Sequence, residues 1–320
     1  MDASPGPGLD GGAGRLYTPL MSDLSTRALS PALDAGDHEI LGEEFGRVLV
    51  YGRDREAPGA PVLLVHSVNA APSAMEMRPI FEGLGGRPLY AMDLPGFGRS
   101  DREARLYTPR LMTDALLAVA EDLRARHGGS PVDLCALSLS CEFAARAASE
   151  QPDLFRTLAL ISPTGFDRRA PYDGPLGSTR GKPVLRKVFR CSGSRLYGWL
   201  TKPGVVRYFL RRTYGSRGVD PDLWDYAVRT AAQPGAKHAP ISFLSGYLFS
   251  RDASRLYDTL ELPVWASHGV RGDFVDYRDL ARMETRSNWT RTEYATGALP
   301  HYELRERFVS DYEGFLAQAG

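Results

Sequence analysis

Ser138 closes an apolar run, Val132-Asp-Leu-Cys-Ala136-Leu137, and opens a segment that continues at helical spacing through Phe143 to Ala148. A serine placed there has two uses. On a sharp strand-to-helix turn its hydroxyl projects from a sheet at a helix N-terminus, where it can attack a carbonyl while a neighbouring backbone N–H meets the developing charge. Alternatively it caps the helix, a common role for serine. The first use needs small residues two before and two after, so that backbone can close in, and Ala136 and Ser140 are small. It also needs an imidazole to take the proton and a carboxylate to hold that imidazole in one tautomer.

Other chemistries find little support. Cys135, Cys141 and Cys191 are an odd set without paired metal-ligand spacing, so neither a disulfide framework nor a metal site is expected, and no cofactor motif is present. Thirty-nine basic residues balance thirty-nine acidic ones, which argues against a nucleic-acid binder held by a basic surface. No run of about 18 apolar residues exists to span a membrane, and no basic-then-apolar leader opens the chain, so no stable membrane insertion and a cytoplasmic address are expected.

The elements that would position such a serine alternate. From Phe45 onward, short β-rich runs are separated by helix-period segments, the pattern of a mostly parallel sheet with helices on both faces. Strands are predicted at 46–51, 61–66, 88–93, 132–136, 158–162, 264–268 and 289–295. The alternation stops after Ser162-Pro163 and resumes at Leu262, which predicts an inserted helical cap. Residues 1–14 read as a Gly/Pro-rich disordered tail, 15–163 and 251–320 as the core, and 164–250 as the cap. The repeated RLYTP at Arg15 and Arg105 reads as helix-start chemistry, with Thr18 or Thr108 as N-cap before a proline.

Three segments in this order resemble the α/β-hydrolase superfamily across roughly residues 38–319. Pro61-Val-Leu-Leu-Val-His66-Ser67-Val68-Asn69 is similar to its oxyanion strand and loop. Asp93-Leu-Pro-Gly-Phe-Gly-Arg-Ser100 matches its Asp-x-Pro-Gly-x-Gly-x-Ser loop, and Ala136-Leu-Ser138-Leu-Ser140 stands where it has Gly-x-Ser-x-Gly. The resemblance implies an α/β-hydrolase fold, Ser138 as nucleophile, and the N–H groups of Val68 and Leu139 as oxyanion donors. Ser67 and Asn69 would touch substrate, Asn69 being a turn residue in its plainer reading, and His66 would orient the loop. Asp273 would supply the carboxylate, with Asp276 as a neighbour better suited to capping.

His301 would be the base, although the family's Gly-His-x-Pro-x-x-Glu aligns with Gly297-Ala298-Leu-Pro-His301-Tyr-Glu303 and puts Ala298 at the usual histidine. The implied activity is hydrolysis of a small-molecule ester or related acyl compound through an acyl-enzyme. Ala298, together with Ser67, Ala136 and Ser140 in place of glycines, carries the rival expectation: a fold kept for ligand binding or interaction, with weak or absent hydrolysis. A serine at the elbow disfavours dehalogenase or epoxide chemistry, which needs a carboxylate there. Between Asp167 and Arg217, thirteen Lys and Arg residues face only Asp167 and Asp173, interleaved with aromatics. That pattern suits either a solvated lid or a surface that draws an anionic or amphiphilic substrate.

Overall fold

The computed structural model describes residues 28–167, 174–215, 218–273 and 276–319. The tail at 1–14, the first RLYTP, and Arg168, Arg169 and Arg217 of the cap lie outside these residues. Eight strands form one sheet: β1 (Gly36–Gly42), β2 (Gly46–Arg53), β3 (Val62–Val65), β4 (Leu89–Asp93), β5 (Val132–Leu137), β6 (Phe155–Ile161), β7 (Val264–Gly269) and β8 (Trp289–Tyr294). Their order is β1-β2-β4-β3-β5-β6-β7-β8, antiparallel at β1–β2 and β2–β4 and parallel elsewhere. This is the expected mostly parallel α/β-hydrolase sheet.

The helices are α1 (Arg78–Gly83), α2 (Pro109–Arg126), α3 (Ser140–Glu150), α4 (Pro183–Leu200), α5 (Pro203–Tyr214), α6 (Pro221–Ala231), α7 (His238–Leu244), α8 (Ala253–Asp258), α9 (Pro300–Glu303) and α10 (Arg305–Gln318). Successive strand residues point to opposite faces, so each buried strand feeds two cores. Leu63, Val65, Leu134 and Ala136 pack with α2 and α3 through Leu116, Leu123 and Phe143. Val62, Leu64, Cys135 and Leu137 pack with α1 and α10 through Phe81, Phe308 and Phe315. Two-sided burial is why these strands read as nearly continuous apolar runs. By contrast β1, GDHEILG, is a half-exposed edge strand with mixed polarity, and it was not among the expected strands.

The second RLYTP starts a helix as expected: the Thr108 hydroxyl accepts from Leu111 N–H at 3.3 Å, and Pro109 occupies the first helical position of α2. Helices α4 to α8 lie between β6 and β7. The chain leaves β3 toward β4 on one side and returns to β5 on the other, so β3 and β5 flank the switch point of the sheet. Ligands of open α/β sheets bind beyond the carboxyl ends of strands at such a point.

Beside it, the loop after β4 wraps its own first side chain. The Asp93 carboxylate accepts from Tyr51 OH (3.0 Å), Ala74 N–H (2.8 Å) and Arg99 N–H (2.8 Å), while Ser100 Oγ donates to the Asp93 carbonyl at 2.6 Å. Gly98 takes φ +50°, and a Cβ there would lie 2.0 Å from Asp93 Cγ. Gly98→Ala must therefore push this carboxylate off its donors. The expected loss in urea unfolding is about 3 kcal/mol from positive φ and overpacking together; a loss below about 1 kcal/mol would show that the loop relaxes freely.

Candidate functional site

Ser138 sits on a strained turn. It follows the fully buried β5, takes φ +59°, and donates its N–H to Ile161 O of β6 at 2.8 Å. Positive φ costs a non-glycine residue of order 1 kcal/mol or more, and the surrounding bonds must hold it. Ser140 Oγ donates to His66 O at 2.5 Å, tying the elbow to the end of β3. The serine at this position thus makes a bond that glycine could not. Leu139, not Ser138, is the N-cap residue of α3, and no side-chain cap bond forms. Ser138 is half-buried, and its hydroxyl has no hydrogen-bond partner among the described residues. The plain capping role therefore finds no support.

The loop after β3 is fixed from below. Leu94 N–H donates to His66 Nε2 at 2.9 Å, so the ring proton resides on Nδ1 and is donated to Ser67 O at 2.6 Å. His66 orients the loop as expected. Glu76, buried at the end of a short 3₁₀ segment (Ala74–Met77), accepts from Ser67 N–H through Oε2 and from Asn69 Nδ2 through Oε1, both at 2.8 Å. Asn69 Nδ2 also donates to Ser67 Oγ at 3.0 Å, and its Oδ1 accepts from Ala71 N–H at 2.8 Å. Both amide hydrogens of Asn69 are thereby committed, which corrects the expectation that it donates to substrate: it builds the loop. Among the described residues, the N–H groups of Val68 and Leu139 donate no hydrogen bond.

The structure does not bring Ser138, His301 and Asp273 together. His301 is fully buried on α9, and its Nε2–H donates to the Glu76 carbonyl at 2.8 Å. The adjacent Tyr302 OH donates to the Met75 carbonyl. Both side chains satisfy carbonyls of the 3₁₀ segment, and His301 Nδ1 is left buried without a partner. Burial pushes His301 down to about 4. The expected base is thus a neutral structural donor, held where an apolar pocket and a main-chain acceptor suit it.

Asp273 pairs with Arg212 instead: Arg212 Nη2 lies 2.9 Å from Oδ1, and this guanidinium holds the carboxyl below its usual range. Asp276 pairs with Arg278 at 2.8 and 2.6 Å. The last turn of α5 occupies the region that the acid and base loops share. Thr213 O accepts from Ala298 N–H at 2.8 Å, Arg212 O accepts from Asp273 N–H at 3.3 Å, and a Cβ on Gly297 would lie 2.2 Å from Thr213 O. Only a residue without a side chain permits that approach.

Two carboxylates escaped the sequence reading. Glu76 lies between Met75 and Met77, and Glu142 lies one helical turn beyond Ser138 on α3 between Cys141 and Phe143; a lone charge in an apolar stretch was the available signal. Glu142 is fully buried and accepts from Thr164 Oγ1 (2.5 Å) and Ser250 N–H (2.8 Å), joining α3 to both ends of the inserted segment. Burial raises it to about 7. One turn further, buried Arg146 meets buried Asp252 at 2.7 Å. The described residues contain no His, Cys, Asp and Glu cluster able to hold a metal, and no described helix is long and apolar enough to cross a membrane.

The family model for the alpha/beta hydrolase fold matches residues 60–181, which contain the loop after β3 and the Ser138 turn. An esterase from Thermogutta terrifontis is 19% identical with TM-score 0.66, covering 89% of this chain and 99% of its own. An esterase from Exiguobacterium antarcticum is 16% identical with TM-score 0.66, over 87% and 98%. A bromoperoxidase from Bacillus anthracis is 17% identical with TM-score 0.65, over 88% and 100%. No curated protein sequence matches. The chain has the fold of these α/β hydrolases, and its residues 60–181 match the model of that family.

The two buried groups give pH dependences of opposite sign. His301 falls from 6.5 to about 4 on folding, so its contribution is present above about pH 6.5 and lost as pH falls through about 4. Glu142 rises from 4.5 to about 7, so its contribution is present below about pH 4.5 and lost as pH rises through about 7. Each window is worth about 3 kcal/mol. In urea unfolding, Glu142→Gln should gain on the parent by about that amount from pH 4.5 to 8. His301→Gln should gain as pH falls from 6.5 to 4. Differences that stay flat with pH would contradict these assignments.

Proposed function

We propose that this chain binds a small ester or related acyl compound at the Ser138 elbow and hydrolyses it weakly or not at all. The substrate carbonyl would lie against Ser138 Oγ, with its oxygen on the N–H groups of Val68 and Leu139 and the Ser67 hydroxyl at the rim. The observation that carries this reading is the His301 Nε2–H donated to Glu76 O at 2.8 Å. Loss of the base costs a serine hydrolase on the order of 10⁶-fold in kcat, whereas oxyanion donors and binding alone retain roughly 10³–10⁴ over water. Supporting a ligand of anionic or amphiphilic character, α4 and α5 carry seven Lys and Arg and no acid. They also expose Val184 (78%) and Trp199 (52%). A cytoplasmic address and the absence of a nucleic-acid partner complete the proposal.

A second reading has its own observation. The φ of +59° at Ser138 and the two uncommitted N–H groups are what acyl transfer requires. In this reading the chain is a serine esterase that passes through an acyl-enzyme, and α9 must release Glu76 O before His301, oriented by Asp273, can take the Ser138 proton.

A fluorophosphonate probe separates the two readings. Binding without turnover predicts little labelling of the parent over an hour and p-nitrophenyl acetate hydrolysis no faster than in Ser138→Ala. Labelling complete within minutes, abolished by Ser138→Ala and accompanied by steady turnover, would replace the first reading with the second.

A further inference from the structure

Away from the elbow, a cleft of about 420 Å³ lies between α4, α7 and the segment 104–106 that follows the Gly98 loop. We propose that it is a second ligand site, for a small molecule that joins a phosphate or carboxylate group to an apolar body. Its volume falls within the range of small-molecule pockets, about 300–1,000 Å³. Phe189, Ile241 and Leu106 supply apolar wall, and Arg186, Lys237 and His238 supply donors.

The charge in this cleft is unbalanced. Arg105, also on its wall, is paired with Glu103 and the Glu44 carbonyl. Among the described residues, Lys237 Nζ donates only to the Ser194 hydroxyl at 2.8 Å, and the Arg186 guanidinium lies 5.6 Å over the Tyr247 ring. Neither has a carboxylate partner among the described residues, and no carboxylate lines the cleft. Two cations in a concave, partly apolar setting attract an anion more strongly than they would on an open surface.

The walls are braced. Tyr107 N–H donates to Ser242 Oγ at 3.2 Å, and a Cβ on Gly193 would meet Ile241 Cδ1 at 2.8 Å, so α4 and α7 pack closely there. Ser138, Val68 and Leu139 are not among the lining residues. On α4, Tyr197 donates to Ala70 O of the oxyanion loop at 3.1 Å. Phe189 precedes Tyr197 by eight residues, about 12 Å of helix. A ligand in the cleft therefore contacts the same helix that braces the oxyanion loop, one or two turns away.

His238 provides an internal reporter. Burial and the Lys237 charge hold it below its usual value. The charged groups around the cleft are Lys237, Arg186 and Arg105 with its partner Glu103, so a bound anion should raise His238 by adding the missing negative charge.

The test is a fluorescence titration of the full chain with 1-naphthyl phosphate, with 1-naphthoate and neutral 1-naphthylmethanol as comparisons. The expected result is saturable binding of both anions, at least tenfold weaker for the alcohol. Lys237→Ala and Arg186→Ala should each weaken the anions at least tenfold without changing the thermal melt, and the His238 NMR titration should move upward on binding. Ser138→Ala should leave the affinity unchanged, and fluorophosphonate labelling should be unaffected in Lys237→Ala, so failure here and failure of the elbow reading are separate results. Equal affinity for the alcohol, or full affinity in the folded Lys237→Ala and Arg186→Ala variants, would overturn the proposal. Displacement by phosphatidylglycerol vesicles but not by inorganic phosphate would assign the cations to a membrane surface and overturn it too.

Discussion

The hydrogen bond from His301 Nε2–H to the Glu76 carbonyl organises this site more than any other contact. It ties α9 to the 3₁₀ segment under the oxyanion loop, and the carboxylate of the same Glu76 holds Ser67 and Asn69 above it. One residue therefore links the final helices to the loop that faces Ser138. A main-chain carbonyl only accepts, so the imidazole must present a proton at Nε2, and burial keeps the ring neutral. The histidine that would serve as a base is structurally committed as a donor.

The same economy appears around α3. Its first turns place Ser138 at one end and present Glu142 and Arg146 to the segment between β6 and β7, so the helix behind the elbow also holds that segment at Ser250 and Asp252. Midway along that segment, the last turn of α5 rests on the loops after β7 and β8 through Thr213 O and Arg212. The position of α5 and the positions of the loops that carry Asp273 and Ala298 are thus coupled. Any approach of a base to Ser138 would have to move helices α5 and α9 together.

The sequence was legible where local patterns are strong. Strands buried on both faces read as apolar runs, and Asp93 to Ser100 could be recognised because its glycines are imposed, Gly98 by the wrapped carboxylate and Gly96 by the closeness of Ala239 and Tyr107. The elbow was legible as a small-residue turn, although Ser140 bonding His66 O was not foreseen. Edge strand β1 escaped because its alternation is weak and its residues are half exposed. The base escaped for a different reason: whether His301 points at Ser138 or at Glu76 depends on how α9 meets residues more than two hundred positions earlier, and no local spacing encodes that. Asp273 looked like an acid by its place after β7, but its partner Arg212 lies in the cap.

The most direct test is ¹⁵N NMR of the His301 ring as a function of pH. The expected result is a neutral, Nε2-protonated imidazole that titrates near 4 and does not respond to Ser138→Ala. A ring that titrates near the ordinary histidine value of about 6.5 and shifts when Ser138 is replaced would contradict it, and would put His301 beside the serine as its base.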